Sequence, residues 1–212
     1  ISGFEDRARR VWVNHVKQYT DAIQTDTNGS AIATLNGKSQ RTTILLMGHI
    51  DQIGLIVRYI DDNGFIYFST VGSFDLVTLV SQRVTILGPK GDIPGVIGKT
   101  AIHLQPRDER NKHPVKLEDM WIDIGARSKE EAQQYAPIGT PVHVGDEYVE
   151  LLNGRFAARI DNRFGCFVVA EVLRRLAEEK DQLFPTVHGA ATVQEETSIG
   201  FTGAAAVAFR LA

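Results

Sequence analysis

"TVHGAATVQEE" (residues 186–196) carries a short apolar run straight into two adjacent glutamates, Glu195 and Glu196. The run from Thr186 to Val193 is too short for a helix and, His188 apart, is built of small and β-branched residues, so it reads as a buried strand. Two carboxylates side by side repel each other, and each loses heavily on leaving water unless a cation or a proton neutralises it. A strand that ends this way demands positive charge beside its carboxyl end.

A second stretch of the same kind is "TTILLMGHID" (residues 42–51), whose apolar run Ile44–Met47 is stopped by Gly48 and followed by His49 and Asp51. It too reads as a buried strand. A third charge, Asp161, stands just ahead of a helical pattern. In open α/β sheets, sites form at the carboxyl ends of strands, so His49, Asp51, Asp161, Glu195 and Glu196 are expected to converge. Each has a plainer reading: a structural histidine, an Asp161-Asn162 helix cap, two solvated glutamates facing opposite ways. The coincidence of three strand-end or helix-start signals, all carrying imidazole and carboxylate groups, favours a divalent-metal site.

Outward from these stretches the text changes style twice. Residues 1–20 read as an amphipathic helix lying on a sheet, with Ser2 and Glu5 as a capping-box pattern and Phe4, Ala8, Val11, Trp12, Val16 and Tyr19 at helical spacing. From about residue 53 to 155 short strands follow one another: "GLIVRYI", "FIYFST", "RVTILG", "GVIG", "MWIDIGA" and "PVHV". Turn signals such as Asp62-Asn63-Gly64 and Lys90-Gly91-Asp92 separate them, and only "SKEEAQQYA" breaks in with a helical pattern. "QPRDERNKHPVK" (105–116) reads as a solvated loop. After Asp161 the helical period returns, with Phe164, Phe167, Val168, Val172 and Leu176 on one side. The division is therefore an α/β domain in two parts, residues 1–58 and 156–212, interrupted by an inserted β-rich domain, residues 59–155. The chain opens on "ISGFED" without a Met and closes inside the helix-like "AAAVAFRLA", which reads as a piece of a longer chain.

Composition narrows the function. A net charge of −3, with 23 Lys and Arg scattered among 26 acids, gives no basic face for nucleic acid. No apolar run approaches a membrane span. The single cysteine, Cys166, excludes an internal disulfide and fits a reducing compartment, so the cytoplasm is expected.

"GHIDQIG" (48–54), "ARIDNRFG" (158–165) and "TVQEE" (192–196) resemble the metal-ligand motifs of the tetrahedral-assembly aminopeptidases, also called deblocking or glutamyl aminopeptidases and sometimes labelled endoglucanases. "SGFED", "DDNGFIYFSTVGSFD", "GVIGKTAIHL" and "MWIDIGARSKEEA" resemble the same family in the same order, so the likeness covers nearly all of the chain. It implies a zinc-exopeptidase-like α/β/α core interrupted by a β-rich dimerisation domain, and two divalent ions per subunit, zinc or cobalt. His49 would bind one metal, Asp161 would bridge both and Glu196 would bind the other. Asp51 would orient the His49 imidazole. Glu195 would be the general base and acid, and a metal-bridging hydroxide would attack the carbonyl of an N-terminal residue. The implied partners are peptide substrates and further copies of the chain, a homo-dimer building up to a homo-dodecamer.

Two departures stand beside the likeness. "TSIGFTGA" (197–204) is longer than the family's run after the paired glutamates and lacks its Arg, and the family's further Asp and His ligands fall downstream of Ala212. The alternatives are a non-catalytic assembly or peptide-binding member of the same fold, and a glycoside hydrolase using Glu195 with another carboxylate.

Overall fold

Two units fold from this chain in the computed structural model, which describes residues 1–108, 114–145, 148–197 and 202–212. One comprises Ser2–Gln52 and Arg159–Ala212, the other Ile53–Ala158 with Ile1. The first opens with α1 (Asp6–Val16), β1 (Ala22–Thr25), β2 (Ala31–Leu35) and β3 (Ser39–His49). The second holds β4 (Gly54–Ile60), β5 (Ile66–Val71), β6 (Arg83–Gly88), β7 (Gly91–Lys99), β8 (Met120–Asp123), α2 (Lys129–Tyr135), β9 (Pro141–Val144), β10 (Tyr148–Glu150) and β11 (Phe156–Ala158). The chain then returns to the first with α3 (Arg163–Glu178), β12 (Pro185–Thr192) and α4 (Thr202–Leu211).

The α/β unit is a sheet of order β1-β2-β12-β3, with β12 antiparallel to β2 and parallel to β3. Alternation along the strands sends Ala31, Ala33, Leu35, Val187 and Ala191 into one core with Trp12 and Val16 of α1 and Val169 and Leu173 of α3. Ile32 and Ala190 point the other way and meet Val207 of α4. The result is the expected α/β/α layering.

Several local expectations are corrected. Helix α1 starts at Asp6, and Ser2 and Glu5 form no capping box: Glu5 holds the N-cap position without a side-chain cap, and its carboxylate accepts the amides of Gly3 and Gln194 instead. Among the described residues β3 pairs with β12 alone, so it is an edge strand and not a buried one, and Ile44 and Met47 are 44% and 41% exposed. On α3 the buried stripe is Cys166, Val169, Ala170 and Leu173, while the expected Phe164, Phe167 and Val168 face outward. Small groups decide this. A Cβ on Gly48 of β3 would lie 2.6 Å from the Cys166 amide nitrogen, so the helix can dock this closely only along its small-residue side. The β1–β2 hairpin was not read from the sequence; its turn is held by Asp26, whose Oδ1 accepts the amides of Asn28 and Ser30.

The second unit is a closed barrel, β4-β5-β8-β7-β6-β9, with the β10–β11 hairpin beside it in sequence. Leu55, Val57, Ile86, Ile97, Met120, Ile122 and Val142 fill its core. Among the described residues, each of the six barrel strands is paired on both sides, a property that strand-by-strand reading cannot see. Strand β4, with Leu55 and Val57 in that core, lies wholly in this unit, ahead of the 58/59 boundary expected from the sequence. Helix α2 is capped by Ser128, whose hydroxyl accepts the Glu131 amide. Of the loop expected at 105–116, residues 109–113 lie outside the described residues. Among the described residues, no helix is long and apolar enough to cross a membrane.

Candidate metal centre

The register of two parallel strands builds the centre. Thr192 pairs with His49, so β12 and β3 end at the same level, and the Ile50 amide donates to the Thr192 carbonyl at 2.8 Å. The residues just past each end, Asp51 on one side and Gln194–Glu196 on the other, are thereby neighbours, since adjacent strands lie about 4.8 Å apart.

Asp161 arrives from α3. The helix start is pressed on β3 at Gly48, the Cys166 thiol donates to the Gly48 carbonyl at 3.2 Å, and the Trp12 indole donates to the Cys166 carbonyl at 3.0 Å. The N-cap is Asn162, which accepts the Gly165 amide at 3.0 Å. That cap leaves the Asp161 carboxylate, 87% exposed, free for other work.

All five residues singled out in the sequence come together. His49 Nε2 lies 3.2 Å from Asp161 Oδ1 and 3.6 Å from Glu195 Oε2. His49 Nδ1 lies 3.3 Å from the Asp51 carbonyl oxygen and 3.5 Å from its Oδ1. His49, Asp161 and Glu196 each offer one ligand atom within 4.8 Å of the others. Asp51 is fully buried, and its two oxygens accept consecutive amides, Glu195 on Oδ1 at 3.2 Å and Glu196 on Oδ2 at 3.0 Å.

The electrostatics are those of crowded carboxylates. Burial alone would lower the His49 pKa, but the hydrogen bond and charge of Asp51 and the charges of Glu195 and Asp161 outweigh it and push the imidazole up to about 9. Burial opposes ionisation of Asp51 as well, yet the His49 hydrogen bond and the amides of Glu196 and Glu195 hold it below the usual carboxylate range. Glu196 is raised, first by burial and then, despite His49, by Asp161, Glu195 and Asp51. One imidazole nitrogen and two carboxylate oxygens, with Nδ1 directed at Asp51 so that Nε2 faces the carboxylates, fit a divalent cation.

Two further residues belong to the centre and were not found from the sequence. Glu5 reaches the amide of Gln194, and Thr197 donates its hydroxyl to the Gln194 carbonyl at 3.0 Å. Glu5 sits in a local pattern that mimics a cap, and its true partner is 189 residues away, so no nearby signal marks it. Of "TSIGFTGA", residues 198–201 lie outside the described residues.

Residues 29–212 match the family described as M42 glutamyl aminopeptidase. The whole chain is 29% identical to the lysyl aminopeptidase of Pyrococcus furiosus and spans 60% of it. Among solved structures, a TET aminopeptidase from a marine sediment Thaumarchaeota archaeon superposes with a TM-score of 0.91 at 36% identity, over 99% of this chain and 58% of that one. The TET1 peptidase of Pyrococcus horikoshii, which can assemble into a tetrahedron or a large octahedral shell, gives 0.86 at 35% identity, over 98% of this chain and 61% of that one. The chain thus spans about three fifths of the length of these relatives.

Proposed function

Because this chain belongs to the M42 glutamyl aminopeptidase family, we propose that it acts as a metal-dependent aminopeptidase, removing N-terminal residues from peptides. The observation that carries the proposal is the gathering of His49, Asp161 and Glu196 within ligand distance of one another, with Glu195 beside them at His49 Nε2. In this reading His49 would hold one divalent ion and Glu196 a second, with Asp161 as the ligand they would share. Such a pair of ions, zinc or cobalt, polarises a peptide carbonyl and acidifies a water when bound.

The chain's own residues do the rest. Asp51 accepts from His49 Nδ1 and so fixes the tautomer that leaves Nε2 as a donor atom. Its two oxygens set the backbone of Glu195 and Glu196, so that one carboxylate joins the ligand trio while its neighbour stays outside it. Glu195 is the proton carrier: it takes the proton of the attacking water and delivers it to the leaving amine. The assemblies named for the Pyrococcus horikoshii peptidase support a homo-oligomeric reading, a homo-dimer building up to a homo-dodecamer, with the barrel unit as the dimer contact. A lone, buried, unpaired cysteine suits work in the cytoplasm.

The test compares neighbours with the same side chain in the full-length natural protein. Glu195→Gln should retain both ions and lose about two to four orders of magnitude in turnover of an aminoacyl-anilide. Glu196→Gln should lose metal, and excess metal should restore part of its activity. Metal content by mass spectrometry decides: loss from Glu195→Gln with retention by Glu196→Gln reverses the roles, and full turnover in both variants removes the catalytic reading.

A further inference from the structure

We propose that Glu5 is a positioning residue for Glu195, acting through the backbone of Gln194; the inference rests on the catalytic reading of Glu195 above. Glu5 is 7% exposed, and its side chain makes no cap hydrogen bond to the helix it precedes. Its Oε1 accepts the Gly3 amide at 2.8 Å and the Gln194 amide at 3.2 Å. Gln194 has a φ of +60°, in the left-handed region that residues other than glycine seldom occupy. The next two amides go to Asp51, one to each oxygen. Three consecutive amides are therefore each held by a carboxylate oxygen, and the Thr197 hydroxyl closes the turn from its far side on the Gln194 carbonyl.

This arrangement answers how adjacent glutamates take different places. Along a strand they would face opposite sides of the sheet. The left-handed residue at 194 turns the chain just before the pair, and the turn brings Glu196 to the trio and Glu195 to His49 Nε2. Asp51 accepts the two following amides, one on each oxygen, and the Gln194 amide goes to Glu5 instead. Glu5 stands on a fixed base: the Trp12 indole ties α1 to the Cys166 carbonyl, and Arg9 ties it to the Gly29 carbonyl at 3.0 Å. Removing the Glu5 carboxylate frees the first amide of the turn, and Glu195 loses its aim.

The experiment uses the full-length, metal-loaded protein and three variants, Glu5→Ala, Glu5→Gln and the double variant Glu5→Ala with Gln194→Gly. Glu5→Ala should lower kcat by about 10- to 100-fold, the usual cost of a misplacement near 1 Å, with metal content kept. KM should stay within about threefold, because the contact acts on the chemical step and not on substrate binding. Glu5→Gln keeps an oxygen for the Gln194 amide and should recover most of the loss. Glycine at 194 adopts the left-handed conformation freely, so the double variant should also recover part of it, which a role confined to docking α1 does not allow. Hydrogen exchange at Gln194 and Glu195 should quicken in Glu5→Ala by about tenfold. Unchanged exchange there, or a kcat per metal-loaded site equal to that of the parent, overturns the positioning role. So does equal loss in Glu5→Ala and Glu5→Gln tracking the unfolded fraction. Glu195→Gln, assayed alongside, reports on the catalytic reading separately: if it turns over like the parent, that reading fails, whatever the exchange rates show.

Discussion

Asp51→Asn isolates the contact on which the centre depends most. The parent carboxylate is fully buried and accepts two amides, one on each oxygen, at 3.2 and 3.0 Å. An amide side chain of the same shape keeps one acceptor and turns an N–H toward the other backbone N–H. One hydrogen bond to a charged group is lost, worth about 1.5–3 kcal/mol, and a buried donor is left unsatisfied at about 1–3 kcal/mol. The sum is about 2.5–6 kcal/mol, a large share of the 5–15 kcal/mol typical of a domain. With a urea m-value of about 2–3 kcal/mol/M, the α/β unit's midpoint should fall by about 0.8–3 M. The difference also has a pH signature. A depressed carboxylate pKa contributes stability that is present above the unfolded value, near 3.8, and is lost as pH falls through the lower folded value. The gap between parent and variant should therefore be flat from about pH 6 to about 5, below the range in which His49 titrates, and close in stronger acid. Metal affinity should drop by about 10- to 100-fold, because the imidazole loses its orienting charge. Urea titrations followed by Trp fluorescence, together with metal titrations, would show it. A midpoint shift below about 0.3 M at pH 7 refutes the assignment of the two amide contacts to stability.

Metal-free protein should lose stability with rising pH: His49 stands at about 9 against 6.5 unfolded, so its contribution, at most about 3 kcal/mol, is complete below 6.5 and gone above about 9. His49→Gln should flatten that slope in urea midpoints taken from pH 6 to 10, and an unchanged slope contradicts the clustering of Asp51, Glu195 and Asp161 as its cause. Burial pushes the Cys166 thiol up to about 12, so iodoacetamide at pH 8 should modify the native protein about three orders of magnitude more slowly than a free thiol, while labelling at the free rate would show the helix start to be open. Replacing Ile53–Ala158 by a short linker should leave an α/β unit that no longer dimerises, as sized by light scattering; retention of the parent's oligomeric state counts against the barrel as the contact.

What the sequence discloses and what it hides follow a physical line. Strand ends are legible because Gly48 and the Glu195-Glu196 pair break an apolar run sharply, and the α/β order follows from alternating strand and helix periods. The face of α3 is not, because a count of apolar residues ranks Phe164, Phe167 and Val168 above Cys166 and Ala170, whereas the sheet accepts only the smaller set beside Gly48 and Gly189. Burial of β3 is not legible either, since an apolar strand reads alike at the centre and at the edge of a sheet. The barrel's strands are readable one at a time, but their closure through β9 pairing both β4 and β6 is a relation between distant segments. Glu5 is hidden for the same reason.

These relations also explain how a centre can survive a large insertion in the middle of it. The chain leaves the α/β unit at Gln52, directly after Asp51, and returns at Arg159, just ahead of Asp161, so the insertion divides the very segments that carry the ligand groups. A flexible loop of that length would tether its ends loosely, since closure entropy grows only with the logarithm of length and fixes no distance. What fixes His49 against Asp161 is local to the α/β unit: the Thr192–His49 register, the Gly48–Cys166 approach and the Trp12 indole bond. The amides of Glu195 and Glu196, gripped by Asp51, then bring the third ligand to the other two. A closed barrel suits such an insertion because, among the described residues, each of its strands is paired on both sides within the barrel itself.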